Sequence, residues 1–386
     1  MEEFDINDDI EYLYKKKRKR LPLPFDQAFS YEELYDKMLE CRKGVSWKGS
    51  TQAFLLNANS NISKMEQEIL EGTYKFSKPT HFKVWSPKER DIVACNFKDR
   101  IVQRTFCDNI AYPKMTKDLI YANVACQKGK GTDCGRNLLK KYMYRAYKKW
   151  GTDFYCLQID IKGYYPHMNH DYINSLFREK LEDREYDLYL KIMNFFYPEE
   201  IGYNPGSQLV QIAGICGLNK LDHYCKEKKH CKYYIRYMDD IVILHNDKSF
   251  LENLLEDIKR ELAKIGFEPN QKKTRIYPQS HNVEFLGFKW RINASGKILV
   301  RVKANSFKRA KKHWRGMKEA IKHKKVPITY KDVQTSVESY RSYISRANCN
   351  DKILKIIEKE ITQCQQLLET KNASENKLKK ETCMQM

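Results

Sequence analysis

The stretch YYIRYMDDIVILHN, residues 233–246, sets two carboxylates side by side within a run of Tyr, Ile, Met, Val and Leu. The run reads as a strand, and two adjacent acids are a poor choice for one. Carboxylates rarely bury unless something positive compensates them. A second stretch has the same character: FYCLQID, residues 154–160, is a short apolar run that ends in Asp160. If the two strands are neighbours, Asp160, Asp239 and Asp240 converge on one point. A concentrated negative site in an otherwise basic chain suits Mg²⁺ better than a lone general-acid pair. Two such ions, about 3.5–4 Å apart, can clamp both the attacking and the leaving oxygen of an in-line displacement at phosphorus. The protein then supplies mainly positioning and charge.

The rest of the chain narrows the partners. Its 386 residues are 41% hydrophobic, enough for a large multi-subdomain enzyme, and carry a formal net charge of +21. An excess that large and that evenly spread points to a polyanion, most simply nucleic acid. The 12 cysteines include no CxxC pair, which fits free thiols in a reducing compartment. His223, Cys225, His230 and Cys231 cluster, but their spacing matches no familiar zinc pattern. No signal peptide and no apolar stretch of about 20 residues is present. The expectation is a soluble, intracellular protein without a membrane partner.

Coarse patterning gives an order of elements. A polar lead, 1–24, contains KKKRKR (Lys15–Arg20). Helical patterns ending at Gly fill 30–72, extended strands follow over 74–95, and helix returns over 97–112. An apolar helix is expected over 207–227 and an amphipathic one up to Gly266. From residue 303 the chain becomes basic and helical, with Phe307, Ala310, Trp314, Met317 and Ile321 on one face. The last stretch is polar and reads as disordered.

Five stretches in order carry a resemblance to reverse transcriptases: PKERDIVACNFKDRIVQ, QIDIKGYYP, YMDD, NQKKTRIY and VEFLGF. The resemblance runs from about residue 80 to 350, and PKERDIVACNFKDRIVQ resembles the fingers segment of bacterial retroelement enzymes. It implies an α+β right-hand polymerase fold: a basic N-terminal arm at 1–24, fingers at 25–153 with part of 170–200, a palm with a small antiparallel sheet at 154–300, a basic helical thumb at 301–368, and a disordered tail at 369–386. It implies that Asp160, Asp239 and Asp240, with the carbonyl of Ile161, hold two Mg²⁺ ions. Tyr165 stands where the family keeps an aromatic gate against the ribose 2′-OH. Lys88 and Arg90 match residues that grip the incoming triphosphate. Lys273 stands where a cation can touch the triphosphate and protonate the leaving pyrophosphate. Phe285, Leu286 and Gly287 resemble the turn that grips the primer end.

One departure is informative. Where many relatives have Ser-Pro, this chain has Ser207-Gln208, as in the enzymes of diversity-generating retroelements; some phage-defence enzymes are also similar. Gln208 is expected near the nascent base pair. The expected activity is RNA-directed DNA synthesis in a bacterial cytoplasm. The expected partners are dNTPs, a DNA product, a cognate non-coding RNA template and, as an open option, an accessory protein. Two alternatives stand beside it: a catalytically degenerate RNA-binding scaffold, and template-independent or protein-primed synthesis, which the 26 tyrosines raise. No length is left after the helical part for a nuclease or integrase domain, so polymerisation alone is expected. Oligomeric state is open.

Overall fold

The computed structural model describes residues 21–85, 89–204, 206–323, 328–348, 354–360 and 362–370. The run Lys15–Arg20, Lys88 and the tail from 371 onward lie outside the described residues. The chain divides into two compact units. The first comprises the described residues up to Leu139 with Leu157–Ile276, and the second Lys140–Cys156 with the described residues from Tyr277 onward.

The first unit opens with helices α1 (Phe25–Ala28), α2 (Tyr31–Cys41), α3 (Gly49–Leu56) and α4 (Ala58–Leu70). The Ser30 side chain accepts from the Glu33 amide and caps α2, which buries Leu34, Met38 and Cys41 at helical spacing. An antiparallel hairpin of β1 (Thr80–Val84) and β2 (Arg90–Ala94) follows. Helix α5 (Phe97–Phe106) passes into a π-turn, Cys107–Ala111, rather than running on as a regular helix to residue 112. The turn buries Asp108 and Asn109, and the Asn109 amide donates to the Ala28 carbonyl and the Glu33 carboxylate. The two bonds from Asn109 Nδ2 accompany the local change of pitch.

Helix α6 (Thr132–Trp150) leads to β3 (Tyr155–Asp160), followed by α7 (His170–Arg178) and α8 (Asp183–Phe196). The single helix expected over 207–227 is broken. Helix α9 (Gln208–Cys216) stops at Gly217, whose carbonyl accepts from the Tyr172 hydroxyl at 2.9 Å, and α10 (Asn219–His223) resumes after it. The run 233–246, a strand by its apolar pattern, is a hairpin that turns within YMDD, where the resemblance implies a turn. Strands β4 (Tyr233–Tyr237) and β5 (Asp240–His245) pair antiparallel with Tyr237 opposite Asp240, so Met238 and Asp239 form a two-residue turn. Met238 adopts φ 53, the left-handed region that such turns use at their first central position. With β6 (Arg275–Pro278) these strands make a four-stranded sheet ordered β4-β5-β3-β6. Helix α11 (Lys248–Ala263) buries Leu251, Leu254, Ile258 and Leu262.

The second unit contains an antiparallel sheet of β7 (Val283–Phe285), β8 (Phe288–Ile292) and β9 (Ile298–Val302). Helices α12 (Ala304–Lys322) and α13 (Tyr330–Ile344) follow, with further helix over 354–360 and 362–370. Trp314, Met317, Ile321, Val333, Val337 and Ile344 form its helical core. The face read from the sequence packs as drawn at Trp314, Met317 and Ile321, whereas Phe307 and Ala310 are only half-buried.

Candidate active site

The first unit pairs Asp160 with an ammonium, Lys273, and ties the end of its strand to the turn that carries Asp239. Asp160 ends β3 almost buried, 8% exposed. Its Oδ1 accepts from Lys273 Nζ at 2.7 Å and its Oδ2 from Asn270 Nδ2 at 3.1 Å. The Asn270 amide also donates to the Asp160 carbonyl at 2.7 Å, which docks the NQKK turn onto the end of β3. The Ile161 amide donates to the Asp239 carbonyl at 3.2 Å and so ties that strand end to the hairpin turn. Ile161 itself is buried and bridges to Pro269.

Electrostatics report the same convergence. Burial pushes the Asp239 carboxyl above the usual range, and the Asp160 charge adds to the push, while Lys273 and Arg236 oppose it. Lys273 is held more firmly protonated than a free lysine. The hydrogen bond it donates to Asp160 leads, and the charges of Asp160, Asp240 and Asp239 contribute. The cation paired with Asp160 is thus a lysine. Among the described residues no three His, Cys, Asp or Glu side chains are grouped as a ready ligand set. The donors are nonetheless hard oxygens, carboxylates beside a strand-end backbone, and suit Mg²⁺ in chemistry.

The turn carrying Asp239 rests on a fully buried ion pair, Arg236 and Asp222, both at 0% exposure. Arg236 Nε and Nη2 donate to the two Asp222 oxygens at 2.7 Å each. Its Nη1 donates to the Met238 carbonyl at 3.0 Å, and Nη2 also to the Ile215 carbonyl at 2.8 Å. The Tyr234 hydroxyl completes Asp222 at 2.6 Å. Burial opposes the guanidinium charge, but Asp222 more than offsets it and holds Arg236 protonated. One guanidinium therefore joins the turn to the end of α9.

Tyr165 stands beside that turn. Its hydroxyl lies 3.6 Å from Met238 Sδ, and burial pushes the phenol upward. Ser207 caps α9 by accepting from the Leu209 amide, and its hydroxyl donates to Gln103 Oε1 at 3.3 Å. Gln208 donates from Nε2 to Asp108 Oδ1 at 2.8 Å, while its buried Oε1 has no protein partner. Burial works against the Asp108 charge, yet the bonds from Gln208 and Arg104 keep that carboxyl below the usual range. Ser207 and Gln208 line a cavity of about 690 Å³ with Lys48, Arg100, Arg104 and Lys128.

The remaining sequence-predicted residues fall elsewhere. Arg90 is exposed at the start of β2, opposite Val84. Phe285, Leu286 and Gly287 lie in the second unit, at the β7–β8 turn. Leu286 (φ 48) and Gly287 (φ 90) are both left-handed, and Tyr343 donates to the Gly287 carbonyl at 2.7 Å. Sequence reasoning missed Arg236, Asp222, Asp108 and Gly214. The only signals were a charge inside an apolar strand and glycines three apart in an apolar helix.

No curated protein matches the sequence. A family model described as reverse transcriptase (RNA-dependent DNA polymerase) matches residues 77–290, more than half of the chain. That span holds the acids, their lysine and the ion pair beneath the turn, and the chain belongs to the reverse transcriptase family.

Proposed function

We propose that this RNA-directed DNA polymerase copies a cognate RNA with two Mg²⁺ ions, held by Asp160, Asp239, Asp240 and the carbonyl of Ile161. The observation that carries the reading is the Lys273–Asp160 ion pair at 2.7 Å, on a strand end that the Ile161 amide ties to the Asp239 carbonyl. When bound, the ions supply charge neutralisation at the transferring phosphoryl group and lower the pKa of the attacking hydroxyl. The chain's own residues do the rest. Asp160 and Asp239 present anionic oxygens on a rigid strand end and a pinned turn. Lys273 neutralises Asp160 before substrate arrives, then turns to the triphosphate, where its ammonium donates toward the departing pyrophosphate. Tyr165 occupies the space of a ribose 2′-OH. Lys88 and Arg90 grip the triphosphate, and Phe285, Leu286 and Gly287 hold the primer end.

In this reading the fingers occupy 25–153 with part of 170–200, the palm 154–300 and the thumb 301–368. The exposed cations of α12 face the template–primer backbone, where contacts position without reading sequence. The Ser207-Gln208 pair, with Gln208 turned by Asp108, supports a mutagenic retroelement enzyme served by its own RNA and an accessory protein; an anti-phage enzyme copying a dedicated RNA is the second role. The test is primer extension on RNA with Mg²⁺ and dNTPs. Wild type extends the primer, and Asp239→Ala and Asp240→Ala do not. Equal extension by the variants overturns the roles of Asp239 and Asp240, and no metal-dependent extension by wild type on its cognate RNA favours the scaffold reading instead.

A further inference from the structure

Helix α9 carries Gly214 in its sequence QLVQIAGIC, and Gly217 follows at once as its C-cap. Gly214 is not explained by the fold alone, because Gly within a helix costs stability relative to Ala. The adjacent tyrosines of GYYP explain both. A Cβ at Gly214 lies 2.6 Å from Tyr165 Oη, 3.0 Å from Cζ and 3.1 Å from Cε1. A Cβ at Gly217 lies 2.9 Å from Tyr164 Oη. The Tyr164 hydroxyl donates to the Gly214 carbonyl at 2.7 Å, so the helix is gripped on the same turn that Tyr165 covers. The same Tyr165 hydroxyl lies 3.6 Å from Sδ of Met238 in the turn that carries Asp239.

We propose that Gly214 is a specificity-determining residue: the missing side chain forms the slot that seats the Tyr165 ring and thereby sets discrimination between deoxyribo- and ribonucleoside triphosphates. The proposal rests on Tyr165 acting as the sugar gate. A ring whose tip rests on bare helix backbone and against Met238 Sδ is held at that end, and a gate works only if it cannot yield. A methyl at Gly214 closes the slot and displaces the ring, and misplacements near 1 Å change rates by about a hundredfold. Removing the phenol oxygen relieves the shortest approach, leaving the nearest ring atom at 3.0 Å.

The experiment measures kcat/KM for a dNTP and its matching rNTP on a fixed RNA template–primer. The proteins are wild type, Gly214→Ala, Tyr165→Ala and the double variant Gly214→Ala/Tyr165→Phe, each with its thermal midpoint. Gly214→Ala is expected to lose at least about tenfold in discrimination, toward the value of Tyr165→Ala, and the double variant to recover most of it. Discrimination by Gly214→Ala within twofold of wild type, while Tyr165→Ala loses it, overturns the role of Gly214 and leaves the gate standing. Unchanged discrimination in Tyr165→Ala overturns the gate and the proposal with it. If Gly214→Ala loses all synthesis, recovery in the double variant supports the slot, and no recovery overturns it.

Discussion

Removing the charge of Asp222 tests the support beneath the catalytic turn. In Asp222→Asn the shape is kept, but Arg236 becomes a buried guanidinium without a counter-charge. Two of its four hydrogen bonds go to that carboxylate, both at 2.7 Å. Breaking a buried pair by removing one partner costs about 3–5 kcal/mol. At roughly 2–4 °C per kcal/mol for a domain of this size, the midpoint falls by roughly 6–20 °C. The informative control is Arg236→Met/Asp222→Leu, since apolar replacement of a whole buried pair is often neutral or stabilising. That variant is expected to regain the melting temperature but not the rate, because no donor remains for the Met238 carbonyl and the left-handed turn relaxes. A displacement near 1 Å of Asp239 costs about a hundredfold in kcat. The assays are thermal melting and single-nucleotide incorporation on RNA. A double variant that melts and polymerises like wild type refutes the reasoning, as does an Asp222→Asn midpoint unchanged within about 1 °C.

Further outcomes follow from the same coordinates. The Asp239 carboxyl is raised, so the native state binds its proton more tightly than the unfolded chain does. Stability from this group is present below the ordinary carboxylate range and is lost as pH rises through the raised value. Asp239→Asn should therefore melt higher than wild type at neutral pH in chelator while synthesising no DNA; a lower midpoint contradicts the burial argument. For the same reason the Mg²⁺ concentration for half-maximal synthesis should rise as pH falls through that range, because the ligand must ionise first; a flat titration counts against Asp239 as a ligand. Tyr343→Phe should lose about 1 kcal/mol of stability in the second unit and shorten products by loosening the turn at Gly287; unchanged product length contradicts a primer-holding role there. Replacing the exposed Lys308, Lys312 and Arg315 of α12 by Ala should lower the salt slope of template–primer affinity by about 0.9 per lost phosphate contact; an unchanged slope removes α12 from the interface.

The chemistry of the site was more legible in the sequence than its scaffolding. Asp160 could be placed because a short apolar strand ended on it, and the twin acids because an apolar run surrounds them. The apolar pattern alone hid the hairpin at the twin acids, since Tyr, Ile and Val flank it on both sides and its first turn residue is Met, not the Gly or Asn that marks a left-handed position; the resemblance at YMDD is what placed a turn there. The Arg236–Asp222 pair was hidden for another reason. Charges default to the surface in a sequence reading, and only the tertiary meeting of β4 with α10 shows that both are fully buried. The break of α9 at Gly217 and the seating of Tyr165 on Gly214 depend on tyrosines distant in sequence. The helical face through Trp314, Met317 and Ile321 was readable because helical period alone specifies it.

The central claim is that Asp160, Asp239 and Asp240 share divalent ions next to the nucleotide. Anomalous scattering from Mn²⁺ in crystals of the enzyme with RNA template, primer and a non-hydrolysable dNTP locates those ions directly. The account predicts peaks coordinated by oxygens of these three carboxylates, with Lys273 moved off Asp160. Ordered nucleotide with Mn²⁺ bound elsewhere and Lys273 still on Asp160 would contradict it.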